Sequence, residues 1–178
     1  ISKFKTFSPP SSDRETVFAR LLRNLESACI KCRRYSLGAK SLSIYLRRQT
    51  FEASGFEMSL SRAEDSPLIL NKFLRMAFDQ IFKSNASYRA TGVVLSKLSE
   101  ITATQFSLFE NPTEILDKRE VFDAIDKINA RFGKHTVFLG SGAILGPQFQ
   151  GDRGRVTHRK SGLLKGETSR QHLGLPLL

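Results

Sequence analysis

Over the first hundred residues the spacing of apolar side chains changes in a fixed order: period two, about 3.6, two, two, about 3.6, two. Ile1–Phe7 alternates, with Ser2, Phe4 and Thr6 on one face and Lys3 and Lys5 on the other, and Pro9-Pro10 is expected to stop this strand. Ser12-Asp13-Arg14-Glu15 has capping-box spacing for a helix start. From there Phe18, Leu21, Leu22, Leu25, Ala28, Cys29 and Cys32 recur at helical steps, with Arg20, Arg23, Glu26, Lys31 and Arg34 off the stripe and Gly38 past the end. Leu42, Ile44 and Leu46, then Phe56, Met58 and Leu60, alternate as two half-buried strands joined through residues 51–55, the pattern of an antiparallel hairpin. Ser66-Pro67 opens a second helix with the stripe Leu70, Phe73, Leu74, Ala77, Phe78, Ile81 and Phe82, expected to end at Asn85. Tyr88–Leu98 reads as a last strand.

Two helices between four strands can cover only one sheet face, so the order predicts an α+β domain with a β-α-β-β-α-β sheet bare on one side. The alternation puts Lys3, Lys5, Ser43, Tyr45 and Arg47 on that bare face, with Thr6 as a further hydroxyl and Arg62 and Arg89 at strand ends.

Charge says what such a face is for. The chain carries 28 Lys+Arg against 17 Asp+Glu, a net of +11. Residues 1–100 hold 17 basic and 9 acidic residues (+8), 101–145 hold 5 and 6 (−1), and 146–178 hold 6 and 2 (+4). A basic domain of this kind attracts polyanions, nucleic acid first. An RNA-recognition module shares the element order but stacks bases on exposed aromatics, and here the bare face offers only Tyr45. The pattern therefore favours phosphate contacts along a duplex over stacking of single-stranded bases. No apolar run reaches membrane-spanning length and no signal peptide is evident.

Cys29 and Cys32 have the spacing of half a metal site, but no second pair or nearby His completes it, and both sit on a helical stripe where Cys packs as a small hydrophobe. A reducing, cytoplasmic compartment is the matching expectation. Asp123 and Asp126 read as the solvated face of a helix, and His135, His158 and His172 have no nucleophile or acid pattern around them.

Downstream, Gln105-Phe106-Ser107-Leu108-Phe109 pairs a polar anchor with two large apolar side chains, either a plug for a partner's pocket or a segment packing back on its own domain. Asn111-Pro112-Thr113-Glu114 can cap a helix running to Phe132, with Ile115, Phe122, Ile125, Ile128 and Phe132 as its stripe and Gly133 as its stop. Val137–Leu139 is expected as a short strand, and the Gly- and Arg-rich sequence after Gly140 as a mobile basic tail.

Several of these segments together resemble one family. Tyr88-Arg89-Ala90-Thr91-Gly92-Val93-Val94-Leu95-Ser96 is similar to the last strand of the little-finger domain of Y-family, lesion-bypass DNA polymerases, and Ile1-Ser2-Lys3-Phe4-Lys5-Thr6-Phe7 to its first. Gln105, Phe106, Leu108 and Phe109 resemble the bacterial sliding-clamp-binding motif, with Phe106 in place of the commoner Leu. Ala124–Lys134 resembles the extension found in bacterial polymerase IV-like and polymerase V catalytic subunits. Val94 stands where some relatives carry Arg, so a DNA contact is expected to be lost there.

The resemblance covers residues 1–142 and implies a division into a DNA-binding domain (1–99), a linker with the clamp motif (100–111), a helical extension (112–142) and a tail (143–178). It implies primer–template DNA and the sliding clamp as partners in translesion synthesis within the response to DNA damage. It also implies that Mg²⁺ and the catalytic carboxylates belong to a palm domain upstream, this chain being a non-catalytic fragment. The alternative is a free-standing ferredoxin-like RNA-binding domain.

Overall fold

The computed structural model describes residues 1–101, 112–133 and 135–145, with the side chains of 112–119 left aside. The expected element order is present: β1 (Ser2–Ser11), α1 (Arg14–Arg34), β2 (Leu37–Arg48), β3 (Ala53–Glu64), α2 (Pro67–Ile81) and β4 (Tyr88–Glu100), followed by α3 (Pro112–Phe132) and a 3₁₀ turn (Gly140–Leu145). The strands form one antiparallel sheet in the order β1-β4-β2-β3. Both α1 and α2 lie on one face, and the helical stripes are what bury: Leu21, Leu22, Leu25, Cys29 and Cys32 of α1 and Leu70, Leu74 and Phe78 of α2 close over Leu42, Ile44, Leu46, Val93 and Leu95. An aromatic column of Phe18, Phe78, Phe82 and Tyr88 runs through this core, with successive ring centroids 4.9–5.4 Å apart. Asn24 ties α1 to β4, its buried amide donating to the carbonyl and the hydroxyl of Thr91.

Several boundaries differ from expectation. Pro9-Pro10 does not stop β1; the strand runs on to Ser11 with a cis Ser8–Pro9 bond and a register shift after Thr6. As an edge strand β1 has a neighbour on one side only, so a missing N–H costs little there. The N-cap of α1 is Asp13, whose carboxylate accepts from the Thr16 N–H at 2.8 Å, and Ser12 sits one residue too early to do this. The α1 exit uses Ser36 at φ 54, and Gly38 is already in β2, packed so closely against Ile101 and Ala63 that a Cβ would collide. The hairpin turn is tighter than 51–55, with Phe51 at φ 70 and Arg48 N–H donating to Glu52. Helix α2 ends at Ile81, not Asn85, with Phe82 as its cap.

The extension differs most. Of its expected stripe, Phe122 is buried and Ile125 half-buried, whereas Ile128 and Phe132 are exposed, and Asn129 is buried in their place. The buried side of α3 is chosen by polar docking on α1. Arg33 makes two hydrogen bonds to the Asp126 carboxylate (2.7 and 2.9 Å), donates to the Asp65 carbonyl and lies over the Phe122 ring. Asp126 is therefore an ion-pair partner, not a solvated residue. Val137–Leu139 forms no strand; Asn129 instead brackets Val137 with a bond to each backbone group, and Leu139 N–H donates to the buried carboxylate of Glu26. The 3₁₀ turn at Gly140–Leu145 packs on α1 and belongs to the same compact unit, which runs from Ile1 to Leu145, past the expected start of the tail at 143.

Candidate nucleic-acid interface

The bare face follows from the register, since paired residues of antiparallel strands share a face. Across the sheet in the order β1, β4, β2, β3, one row reads Phe4, Gly92, Tyr45, Gly55. The next row is Thr6, Ala90, Arg47, Ala53; on the other side lie Ser2, Val94, Ser43, Glu57 and then Ser96, Ser41, Ser59. Apart from the aromatic row, Arg47 and Glu57, this is a low surface of small residues.

The register corrects one expectation directly. Lys3 pairs with Val93 and Lys5 with Thr91, both buried under α1, so these lysines lie on the helix side of the edge strand. Phe4 takes the bare face in their place, 55% exposed, and the buried aromatic of β1 is Phe7. Ser43, Tyr45 and Arg47 share the bare face as their alternation required, with Ser43 itself buried; Thr6 is there too, although the alternation of β1 had set it opposite Lys3 and Lys5.

Glycine shapes the aromatic row. A Cβ on Gly92 would run into the Phe4 ring, and one on Gly55 would come within 3.0 Å of the Tyr45 ring. Each ring thus lies across a glycine, and the two rings adjoin at 5.7 Å between centroids with their planes tilted by 42°.

The cations are gathered at one end. Arg47 and Arg89 both lie over the ring of Phe51, at 5.6 and 4.7 Å from its centroid, and Phe51 is 62% exposed at the hairpin turn. The sequence reading did not single out Phe51; an aromatic at a turn between two arginine-bearing strands was the available signal. Arg62 is drawn to Glu64 at 3.4 Å, beyond the β3 register shift. Glu57 adds one negative charge to the face, its carboxylate accepting from the Ser41 hydroxyl.

Many of the domain's other arginines cover aromatic rings on the helix side: Arg14 over Phe78, Arg20 over Phe7, Arg75 over Phe18 and Arg23 over Phe138. Burial lowers the Arg20 pKa from its usual value. The high basic count of the domain is therefore only partly a property of the sheet face.

Cys29 and Cys32 are free and buried; burial raises the Cys29 thiol well above its ordinary pKa and that of Cys32 to about 11. They pack as hydrophobes. Among the described residues no group of three or more His, Cys, Asp or Glu is placed to hold a metal ion, and Asp126 is committed to Arg33. No described helix is long and apolar enough to cross a membrane. Gln105, Phe106, Leu108 and Phe109 lie outside the described residues, as do His158 and His172.

A two-layer α+β domain with one open sheet face is the class these observations define. Residues 1–108 match the impB/mucB/samB family C-terminal domain, and the chain belongs to that family, the C-terminal part of Y-family polymerases expected from Tyr88–Ser96 and Ile1–Phe7. No curated protein matches the sequence. Solved structures to which the chain is similar include an insertion ternary complex of Dbh DNA polymerase, at 11% identity and a TM-score of 0.47, covering 53% of this chain and 27% of that one. DinB from Sulfolobus solfataricus matches at 10% identity and a TM-score of 0.46, over 53% of this chain and 27% of that one. A complex of the beta-clamp processivity factor with the little finger domain of PolIV matches at 16% identity and a TM-score of 0.42, over 62% of this chain and 98% of that one. The chain spans 27% of the length of the first polymerase it matches.

Proposed function

We propose that this chain is the DNA-holding and clamp-docking part of a lesion-bypass DNA polymerase and carries out no chemistry itself. The observation that carries the reading is the bare sheet face with Arg47 and Arg89 at one end, in a chain of net charge +11 whose sequence matches a polymerase C-terminal family. The guanidinium groups supply phosphate attraction, and the exposed Thr6 and Tyr45 supply hydroxyls that fix register without reading sequence. Docking to the sliding clamp is assigned to Gln105, Phe106, Leu108 and Phe109: an amide that both donates and accepts, followed by apolar side chains each contributing about 1.5–3 kcal/mol on full burial. Tethering of this kind raises the local concentration of the DNA-binding domain at the clamp. In this reading the nucleotidyl-transfer Mg²⁺ and its carboxylates belong to a palm domain of the parent polymerase.

The test is fluorescence anisotropy of the full chain with labelled primer–template across a salt series. Binding should be weak and insensitive to sequence, with a slope of log affinity against log salt of about −0.9 per phosphate neutralised. Arg47→Ala with Arg89→Ala should flatten that slope, and Lys3→Ala with Lys5→Ala should change it less. Equal loss on replacing Arg20 and Arg23 would move the site to the helices and defeat the assignment. In parallel, Leu108→Ala with Phe109→Ala should abolish capture by the sliding clamp at unchanged melting temperature; earlier melting with capture retained would make both residues part of the domain's own core.

A further inference from the structure

We infer that the bare face is a platform for unpaired nucleobases, so that it takes a single-stranded segment of DNA on Phe4 and Tyr45 in addition to duplex phosphates. The inference rests on the nucleic-acid reading above and names what that same face binds. It starts from an arrangement the sequence hid: two aromatic rings in one cross-strand row, alternating with two glycines. A ring laid across a glycine has one face against the backbone and the other turned outward. Phe4 covers Gly92 in this way and Tyr45 covers Gly55. At 5.7 Å and 42° the rings are not stacked on each other, so each keeps a free face for a base of its own.

The surroundings keep the platform accessible. Flanking positions on the same face are Ser2, Thr6, Ala90, Ala53, Ser43 and Val94, none of which rises far above the sheet. Charge complementarity is supplied from one side only. Arg47 is the next bare-face residue after Tyr45 on β2, about 7 Å along the strand. It shares the Phe51 ring with Arg89, which orients both guanidinium groups at the platform's edge. Glu57 stands on the opposite side of the aromatic row and disfavours phosphate there. A strand whose bases stack on Phe4 and Tyr45 therefore has its backbone drawn toward Arg47 and Arg89. Stacking on aromatics with backbone capture by Arg is the general physics of single-strand binding and does not need sequence readout. The competing explanation is that Phe4 and Tyr45 merely shield sheet glycines, which predicts an effect on stability and none on binding.

The test uses the full chain with a labelled oligothymidylate of about ten nucleotides and, separately, a blunt hairpin duplex. Phe4→Leu with Tyr45→Leu keeps an apolar cover over both glycines and removes the aromatic faces. Expected is a loss of affinity for the oligothymidylate of about tenfold per ring, with a smaller loss on the duplex, where only the Tyr45 hydroxyl is given up, an unchanged salt slope and the thermal melt retained. Equal loss on both probes, or no loss on either, overturns the platform. Wild-type protein that binds the hairpin but not the oligothymidylate also overturns it while leaving the duplex-holding reading intact; protein that binds neither probe overturns both. Should the double substitution melt early, Tyr45→His at unchanged Phe4 restores a stackable ring, and failure to recover oligothymidylate binding counts against the platform.

Discussion

Replacing Asp126 by Ala should undock the extension without unfolding the domain beneath it. The Arg33 side chain is only 8% exposed, and burial by itself lowers the pKa of such a group; the Asp126 carboxylate reverses this and holds it above the ordinary value. Asp126→Ala leaves that buried charge with the Asp65 carbonyl and the Phe122 ring as its remaining described partners. Hydrogen bonds to charged groups contribute about 1.5–3 kcal/mol each, and breaking a fully buried pair costs about 3–5 kcal/mol. The Asp126 side chain is 23% exposed, so water can replace part of what is lost. The expected cost is about 2–3 kcal/mol, which raises the opening equilibrium of α3 by a factor of about 30–150. Native-state hydrogen exchange reads this locally: amides of 120–132 should exchange faster by that factor, while those of β2 and β4 should not. Arg33→Met together with Asp126→Leu should recover most of the protection, because both charges leave together. If the single substitution is silent, or the double one is as harmful as the single, the ion pair is not what holds α3 and the reasoning fails.

Gly92→Ala should cost about 1–2 kcal/mol by driving a Cβ into the Phe4 ring, read as a lower urea midpoint. The cost should largely vanish in a Phe4→Ala background, and Gly140→Ala, which meets nothing within 4 Å, should be nearly neutral. Glu64 makes the opposite pH contribution from most carboxylates: burial raises its pKa, opposed by the Ser66 N–H bond and by Arg62. A carboxyl raised in the folded state stabilises fully below its unfolded value of about 4.3, and that contribution is lost as pH rises through the folded value. Glu64→Gln keeps an acceptor for Ser66 N–H, so it should stabilise relative to wild type at pH 7 and give no such gain near pH 4; an equal shift at both would contradict this.

The core was legible in the sequence because helical and strand periods differ and each stripe needed only its own segment to be read. All seven stripe residues of α1 are buried, and Leu42, Ile44 and Leu46 face the helices as their alternation requires. The phase of β1 was not legible. Phe4 and Phe7 have opposite parity, so the segment alone does not say which ring goes inward. Pairing decides it, because Thr91 and Val93 of β4 face α1 and take Lys5 and Lys3 to that side. The family assignment was legible from Tyr88–Ser96, which carries four of the bare-face positions, Ala90, Gly92, Val94 and Ser96. The cover over the outer side of α1 was not legible for a related reason. Glu26, Ser27 and Arg33 are polar, and what buries them arrives about a hundred residues later, as Leu139 N–H, His135 and Asp126. A local pattern contains no trace of a partner that distant.

That late-arriving cover also separates the two binding roles in the proposed function. Ile101 is pinned by its N–H to the Ser36 carbonyl and by close packing on Gly38, just past the end of α1. Helix α3 is pinned to Arg33 in the last turn of the same helix. Ile101 and the docked part of α3 are therefore both held near one end of α1. Leu37, opposite Glu100, marks that end of β2, and Tyr45 lies eight residues further along the strand, about 26 Å away. Arg47 and Arg89 are further still. Ile101, the last described residue before the motif assigned to the clamp, therefore lies at the end of the sheet remote from the arginines. Under the proposed function, phosphate attraction at Arg47 and Arg89 and stacking on Phe4 and Tyr45 act toward the other end of the sheet from Ile101 and from the Arg33–Asp126 dock.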